Sequence, residues 1–113
     1  MSNLANLKIY IKSLELVKKI YQLINNNQTL KKDFSLCDQM KRASISIPAN
    51  IAEGYMRSKK QFQYHLDVSS GSANEMVTLL IVVTLVYTIE TINLQEEYII
   101  LGKQIISFSK SFH

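Results

Sequence analysis

Residues 44–57 read SISIPANIAEGYMR and place Pro48, Asn50 and Glu53 inside an otherwise apolar pattern. A proline within a helix removes a backbone donor, and a buried polar side chain costs free energy unless it is hydrogen-bonded. We therefore predict a kink at Pro48, or a break into two segments, and local partners for the polar side chains. Gly54, near the end of the run, is typical of a helix stop.

Apolar residues at spacings of three and four extend on both sides of this run and predict four helices. Helix 1 is predicted over residues 4–25 and helix 2 over residues 29–55. Ser58 is a candidate N-cap for helix 3, whose heptad-like seam runs from Phe62 to Tyr87, and Asn93 precedes helix 4. Because the connections are short, the predicted fold is all-α, an up-down antiparallel four-helix bundle with helix 2 kinked.

Helix 1 carries two apolar stripes on nearly opposite sides. The first stripe, expected to face the core, comprises Leu4, Leu7, Ile11, Leu14, Tyr21 and Ile24. The second stripe comprises Ile9, Leu16, Ile20 and Leu23. A bundle helix needs one apolar face for its own core, so we expect the second stripe to be a subunit interface. The alternative is a helix sandwiched inside its own domain.

The charge of the chain is unevenly distributed. Residues 1–60 carry 11 Lys/Arg against four acids, a net of +7, whereas residues 61–113 carry two lysines against five acids, a net of −3. A basic half indicates an anionic partner, most commonly nucleic acid, unless it is simply a solvated surface. The candidate nucleic-acid-binding residues are Lys41, Arg42, Arg57, Lys59 and Lys60.

The residue types used in catalysis are sparse. The only histidines are His65 and His113, no spacing is typical of metal ligands, and no Gly-rich phosphate loop is present. We expect no enzyme activity, no metal and no cofactor. Cys37 is the only cysteine, so we expect no disulfide within the chain and a cytoplasmic location. From the length we expect a single domain over residues 1–113. We expect no targeting segment, and the apolar run over residues 76–89 is too short to cross a membrane.

A second polar feature lies on the facing halves of helices 2 and 3. We predict a buried polar network formed by Asn50, Glu53, Ser72 and Glu75. In the structural interpretation, hydrogen bonds of this network join helices 2 and 3 and fix their register, because buried polar groups are normally paired. The alternative is a ligand or active site.

The sequence resembles a bacterial family of four-helix bundle proteins. The resemblance rests on Gln39, residues 41–43 (KRA), the run SIPANIAEG at 46–54, and Arg57, followed by Phe62, Leu66, Gly71, Ser72 and Glu75. The family includes proteins encoded in intervening sequences of large-subunit ribosomal RNA genes. It also includes the accessory variability determinant of diversity-generating retroelements.

The resemblance implies a ring-like homopentamer with a basic surface suited to RNA or DNA, and possible contact with a reverse transcriptase. Three departures stand out: Lys41 where the family often has Arg, Ser69 and Ser70 where it often has Ala-Arg, and no tryptophan in helix 1. The leading hypothesis is a non-enzymatic, homo-oligomeric nucleic-acid-binding accessory protein that contacts phosphates. The alternative is a protein-interaction scaffold, for example one that docks a reverse transcriptase.

Overall fold

The computed structural model describes residues 3–4 and 7–112, and over that part of the chain it contains five α-helices and no strand. The all-α prediction is therefore confirmed. The helices are α1 (Lys8–Asn25), α2 (Gln28–Lys31), α3 (Phe34–Tyr55), α4 (Lys59–Tyr87) and α5 (Ile92–Lys110). The single helix predicted over residues 29–55 is two helices, α2 and α3.

Asp33 explains why the predicted helix 2 divides. Its Oδ1 accepts a hydrogen bond from the backbone N–H of Leu36 at 3.1 Å, which caps a new helix beginning at Phe34. The short helix before it is held by Leu30, whose side chain is fully buried. The Leu30 carbonyl also accepts from the Cys37 thiol at 3.1 Å, so α2 is fastened to the first turn of α3.

Helix α3 runs without interruption through Pro48. The predicted break into two segments is therefore wrong, while the kink stays a prediction. Pro48 is buried, and its neighbours Ile47 and Ile51 have no exposed side-chain area. Because the turns on both sides of the proline are anchored in the core, the missing backbone donor does not end the helix.

The core lies between α1, α3, α4 and α5. Helix α4 packs against both α3 and α5, and α1 packs against the same two helices, so α1 and α4 lie at opposite corners. The predicted α4 seam is confirmed, because its members Phe62, Leu66, Ala73, Met76 and Leu80 are buried. At the outer end of the seam, Tyr87 is half-buried.

The two stripes of α1 exchange places relative to the prediction. Leu16 and Ile20 have no exposed area and Ile9 is buried, whereas Ile11 and Leu14 are 42% and 45% exposed. The proposed interface stripe is therefore core, and the prediction that Ile9, Leu16, Ile20 and Leu23 form a subunit interface is wrong. Of the stripe expected in the core, only its last member, Ile24, is fully inside; Leu4, Leu7 and Tyr21 are half-buried.

Ion pairs at the α1–α5 contact fix this orientation of α1. The Nζ atoms of Lys12 and Lys19 lie 2.8 and 3.0 Å from Oε1 of Glu97 in α5. Burial alone raises the pKa of Glu97, but the hydrogen bonds from the two lysines outweigh it, and the net pKa is lowered. With both lysines turned towards α5, the Leu16 stripe faces the core.

Helix α4 is long and apolar enough to cross a membrane when only its length and composition are considered. Core helices of soluble proteins in general meet the same two criteria. Helix α4 buries its seam against α3 and α5. Its other side is less covered: Ile81, Leu85 and Val86 are 40%, 77% and 61% exposed. The second half of α4, residues 76–87, is thus largely apolar on all sides but buried along one side.

A side-chain hydrogen bond fastens the far end of α4 to the start of α3. The Tyr87 hydroxyl donates to Oδ2 of Asp33 at 2.6 Å. This bond, followed by the one from the Leu36 backbone, lowers the pKa of Asp33 and outweighs the effect of burial. A carboxylate with a depressed folded pKa stabilises the fold above its unfolded pKa, and the contribution disappears as the pH falls through the folded value.

We predict that Tyr87→Phe flattens the acid dependence of stability. Without the hydroxyl, the pKa of Asp33 returns towards 3.8, so the stability lost on acidification below about pH 4 becomes smaller. Urea unfolding midpoints measured from neutral pH down to pH 2 test this. If wild type and variant lose stability in parallel over this range, the Asp33–Tyr87 bond makes no contribution to it.

We predict that Tyr98→Phe does not destabilise the protein and raises its free energy of unfolding by up to about 1 kcal/mol. The Tyr98 side chain has no exposed area, and its hydroxyl has no hydrogen-bond partner among the described residues. Tyr87→Phe, which removes a bonded hydroxyl, is the matched control and should lower stability. A loss in Tyr98→Phe as large as in the control would show that the hydroxyl is satisfied.

Candidate nucleic-acid interface

The turn between α3 and α4 forms the basic end of the molecule. The Ser58 hydroxyl accepts from the backbone N–H of Gln61 at 3.2 Å, which confirms Ser58 as the N-cap. The first turn of a helix has unpaired N–H groups and a partial positive charge. Lys59 and Lys60 lie in that turn, are exposed, and form no salt bridge with any described residue.

Arg57 lies beside these lysines but has a partner on its own helix. Its guanidinium pairs with the Glu53 carboxylate, and its Nε donates to the Glu53 carbonyl at 3.1 Å. Both side chains are about half exposed. An exposed pair of this kind contributes little stability, and a phosphate can compete with the carboxylate for the guanidinium.

Lys41 and Arg42 are not part of this end. Lys41 Nζ lies 5.1 Å from the ring centroid of Tyr21, and Arg42 Nε pairs with Oδ2 of Asp38 at 2.8 Å. Lys41 lies 14 positions before Tyr55, the last residue of α3, so about 21 Å of helix separates it from the α3–α4 turn. The five predicted cations therefore divide into two groups, one on the first half of α3 and one at the α3–α4 turn.

The structure adds Lys110 to the basic end. Gln63 Nε2 donates to the carbonyls of Ser109 and Phe112 at 2.9 and 3.3 Å, which places the end of α5 against the start of α4. A groove of about 460 Å³ continues from there between α4 and α5, lined by Lys110 and Lys103 among others. Sequence reasoning missed both lysines because residues 61–113 are acidic overall; helix order alone brings them here.

The predicted polar network forms in part. Asn50 Nδ2 donates to the carbonyl and to Oγ of Ser46 at 2.9 and 3.1 Å, and the Ser46 and Ser72 hydroxyls are 2.9 Å apart. Asn50 Oδ1 lies 3.1 Å from Nδ1 of His65. The chain of contacts thus links α3 to α4 through Asn50 and Ser72 as predicted, with Ser46 and His65 as members that the sequence reasoning missed.

The two glutamates are not in this network, so that part of the prediction is wrong. Glu53 and Glu75 are both exposed, and Glu53 pairs with Arg57. Glu75 lies three positions after Ser72 on α4, and a rotation of about 60° turns its side chain out of the contact with α3. An outward position also avoids the cost of desolvating a carboxylate.

Cys37 and His65, whose thiol and imidazole are the types of group that form a nucleophile and its base, are not brought together. The Cys37 thiol donates to the Leu30 carbonyl at one end of α3, whereas His65 contacts Asn50 nearer the other end. Burial raises the pKa of Cys37, with a lowering effect from Lys41 and a raising one from Asp33, and a raised pKa disfavours the thiolate. Within residues 3–4 and 7–112, no group of three His, Cys, Asp or Glu is placed to hold a metal ion.

The fold and its surface define a small helical protein with a cationic end and a polar contact between its two central helices. The model of the family described as 23S rRNA-intervening sequence protein matches residues 5–111. The chain therefore belongs to that family, as the resemblance indicated. A comparison with curated proteins finds no match, and a comparison with solved structures finds none either.

We predict that Asn50→Ala lowers the free energy of unfolding by about 1–2 kcal/mol, because it leaves partly buried groups on both helices without partners. Glu75→Ala, an exposed substitution on α4, should change it by less than about 0.5 kcal/mol. Chemical denaturation of both variants gives the comparison. Equal losses in the two would mean that Asn50 contributes no more than a surface residue.

Proposed function

We propose that this protein is a non-enzymatic, homo-oligomeric nucleic-acid-binding accessory protein of the 23S rRNA intervening-sequence type. The observation that carries the proposal is the basic end, where Lys59 and Lys60 lie unpaired by any described residue at the N-terminus of α4. Arg57 and Lys110 flank them. Positive side chains beside free helix N–H groups form a surface that fits phosphate.

We further infer that the four long helices form an up-down antiparallel bundle. In support, hydrogen bonds pair residues of α3 and α4 in opposite order, Ser46 with Ser72 and Asn50 with His65. Helices α4 and α5 do the same, Gln63 with Ser109 and Ser70 with Gly102. This arrangement assigns the start of α1 and the end of α5 to the basic end as well.

Binding through this end would be set by electrostatics rather than by base readout. Lysine contacts to phosphates release counterions and give affinity that falls steeply with salt, without discriminating sequence. Each subunit carries a net charge of +4, so an oligomer presents several times that charge to a polyanion. The family resemblance implies five subunits and, in the retroelement setting, a reverse transcriptase as a second partner.

We predict that Lys59→Glu/Lys60→Glu weakens binding of a labelled structured RNA and of duplex DNA at least tenfold at low salt. Because two phosphate contacts are removed, the slope of log affinity against log salt should also fall by about 2. Fluorescence anisotropy at about 50 and 200 mM salt measures both quantities. The protein should be used at a concentration where its mass in solution is known.

The matched control is Lys31→Glu/Lys32→Glu. It makes the same change in net charge but lies near Asp33, which contacts the last residue of α4, about 42 Å from Lys59 along that helix. The control should keep most of the affinity and the slope. Equal weakening in both variants would mean that net charge alone governs binding. Absence of binding even at low salt would favour the protein-interaction scaffold.

A further inference from the structure

We propose that the outer stripe of α1 in one subunit packs onto the outer seam of α4 in the next, in a head-to-tail contact between copies of this chain. The inference rests on the homo-oligomer of the proposed function and assigns its interface. The outer stripe is Leu7, Ile11, Leu14 and Lys18. The outer seam is Tyr64, Val68, Gly71 and Glu75.

Both faces are incompletely covered within one subunit, although Leu7 and Val68 are half-buried. Ile11 and Leu14 are 42% and 45% exposed, and Tyr64 is 65% exposed, although each is a large side chain with substantial apolar area. Beyond the outer seam, residues 76–87 of α4 are largely apolar on all sides, and Ile81, Leu85 and Val86 are exposed there. A helix that is apolar all round is normally covered all round. A second copy supplies the missing cover.

The positions of the two faces require a head-to-tail contact. Helices α1 and α4 lie at opposite corners, because each packs against α3 and α5 and they make little contact with each other. Their outer faces therefore point in nearly opposite directions. Two different faces on opposite sides make a heterologous contact, which closes into a ring when the rotation allows it.

The spacing of the two faces matches residue for residue. Leu7 with Tyr64, Ile11 with Val68, and Leu14 with Gly71 are each 57 positions apart in the sequence, as are Lys18 and Glu75. Both rows follow a four-three-four spacing, so they lie along one side of their helices. In a ring whose axis is parallel to the helices, neighbouring subunits are not displaced along that axis. Residues that meet across the contact must then lie at the same height along the helix axis within one subunit, that is, be level.

The contacts through α5 give one measure of that level. Glu97 is bonded by both Lys12 and Lys19, so it is level with their midpoint. It precedes Gly102 by five residues, and the Gly102 carbonyl accepts from Ser70 of α4. Five residues beyond Ser70 in the antiparallel partner is residue 75. Because the midpoint of Lys12 and Lys19 falls between residues 15 and 16, this route gives an offset of about 60 residues between α1 and α4.

The contacts through α3 give a second measure. Tyr21 is opposite Lys41, and Lys41 precedes Asn50, which is opposite His65, by nine residues. Nine residues beyond His65 is residue 74, so this route gives an offset of about 53 residues. The 57 positions of the proposed contact lie between the two measures.

Gly71 and the pair formed by Lys18 and Glu75 supply the chemistry of the contact. A Cβ added at Gly71 would meet no atom within 4 Å, so packing inside the subunit does not require glycine there. A glycine in the middle of a helix is unfavourable on its own, and here it leaves space for Leu14 of the next copy. Lys18 and Glu75 are exposed, form no salt bridge with described residues, and carry opposite charges.

The mass of the full chain in solution, measured by sedimentation over a range of concentrations, tests the proposal. Leu14→Glu should raise the subunit dissociation constant at least about tenfold. Ile45→Glu is the matched control, because Ile45 is 44% exposed but lies on α3, and it should leave the mass unchanged. Gly71→Gln should dissociate the oligomer while the subunit keeps its helical circular dichroism, since the added side chain has open space within the subunit.

Charge exchange tests the register. Lys18→Glu and Glu75→Lys should each weaken association, and the double variant should restore it. A monomeric wild type, an oligomer unaffected by Leu14→Glu and Gly71→Gln, or a double variant weaker than both single variants would overturn the proposal. A membrane is the other surface that could cover the outer stripe. If Leu14→Glu removed binding to phospholipid vesicles while the mass in solution stayed unchanged, that result would also overturn the proposal. A monomer that still binds RNA would overturn this interface but leave the nucleic-acid proposal standing.

Discussion

The close approach of α3 and α4 is the constraint on which the rest of the molecule depends. A Cβ on Gly54 would lie 2.8 Å from Cβ of His65, so only glycine permits this separation at the end of α3. Further along, the Ser69 hydroxyl donates to the Ile47 carbonyl at 2.8 Å, which requires small residues between the two backbones. Because this contact fixes where α4 begins, it also sets the position of the basic turn and aligns the Asn50 contacts.

The parts of the fold that the sequence predicted are those governed by local chemistry. The α4 seam, the N-cap at Ser58 and the stop near Gly54 each depend on residues a few positions apart. The orientation of α1 could not be predicted in the same way, because both of its stripes are apolar and the choice depends on Lys12 and Lys19 meeting Glu97 some 80 positions later. The α2–α3 division was missed because Asp33 reads as an ordinary helix residue until its capping bond is seen.

The candidate site shows the same limit. Lys59 and Lys60 are neighbours in sequence, so the sequence identified them together, whereas Lys110 joins them only because Gln63 of α4 bonds to Ser109 near the end of α5. Glu75 was placed in the polar contact with Ser72, which precedes it by three positions, but its side chain is exposed on a different side of α4. Periodicity gives the faces of a helix; the neighbours of each face follow only from the full set of helix contacts.

The proposed interface and the basic end affect each other through geometry. The outer faces of α1 and α4 lie along the sides of the subunit, so packing one onto the other leaves both ends uncovered. In a ring whose axis is parallel to the helices, rotation carries the basic end of every subunit to the same face. Lys59, Lys60 and Lys110 of one copy give few phosphate contacts and weak binding, but a nucleic acid that spans several copies engages them at high effective concentration. Assembly would therefore turn a weak cationic end into a strong polyanion-binding face, and affinity for a long nucleic acid should depend on the oligomer, whereas affinity for a short one should not.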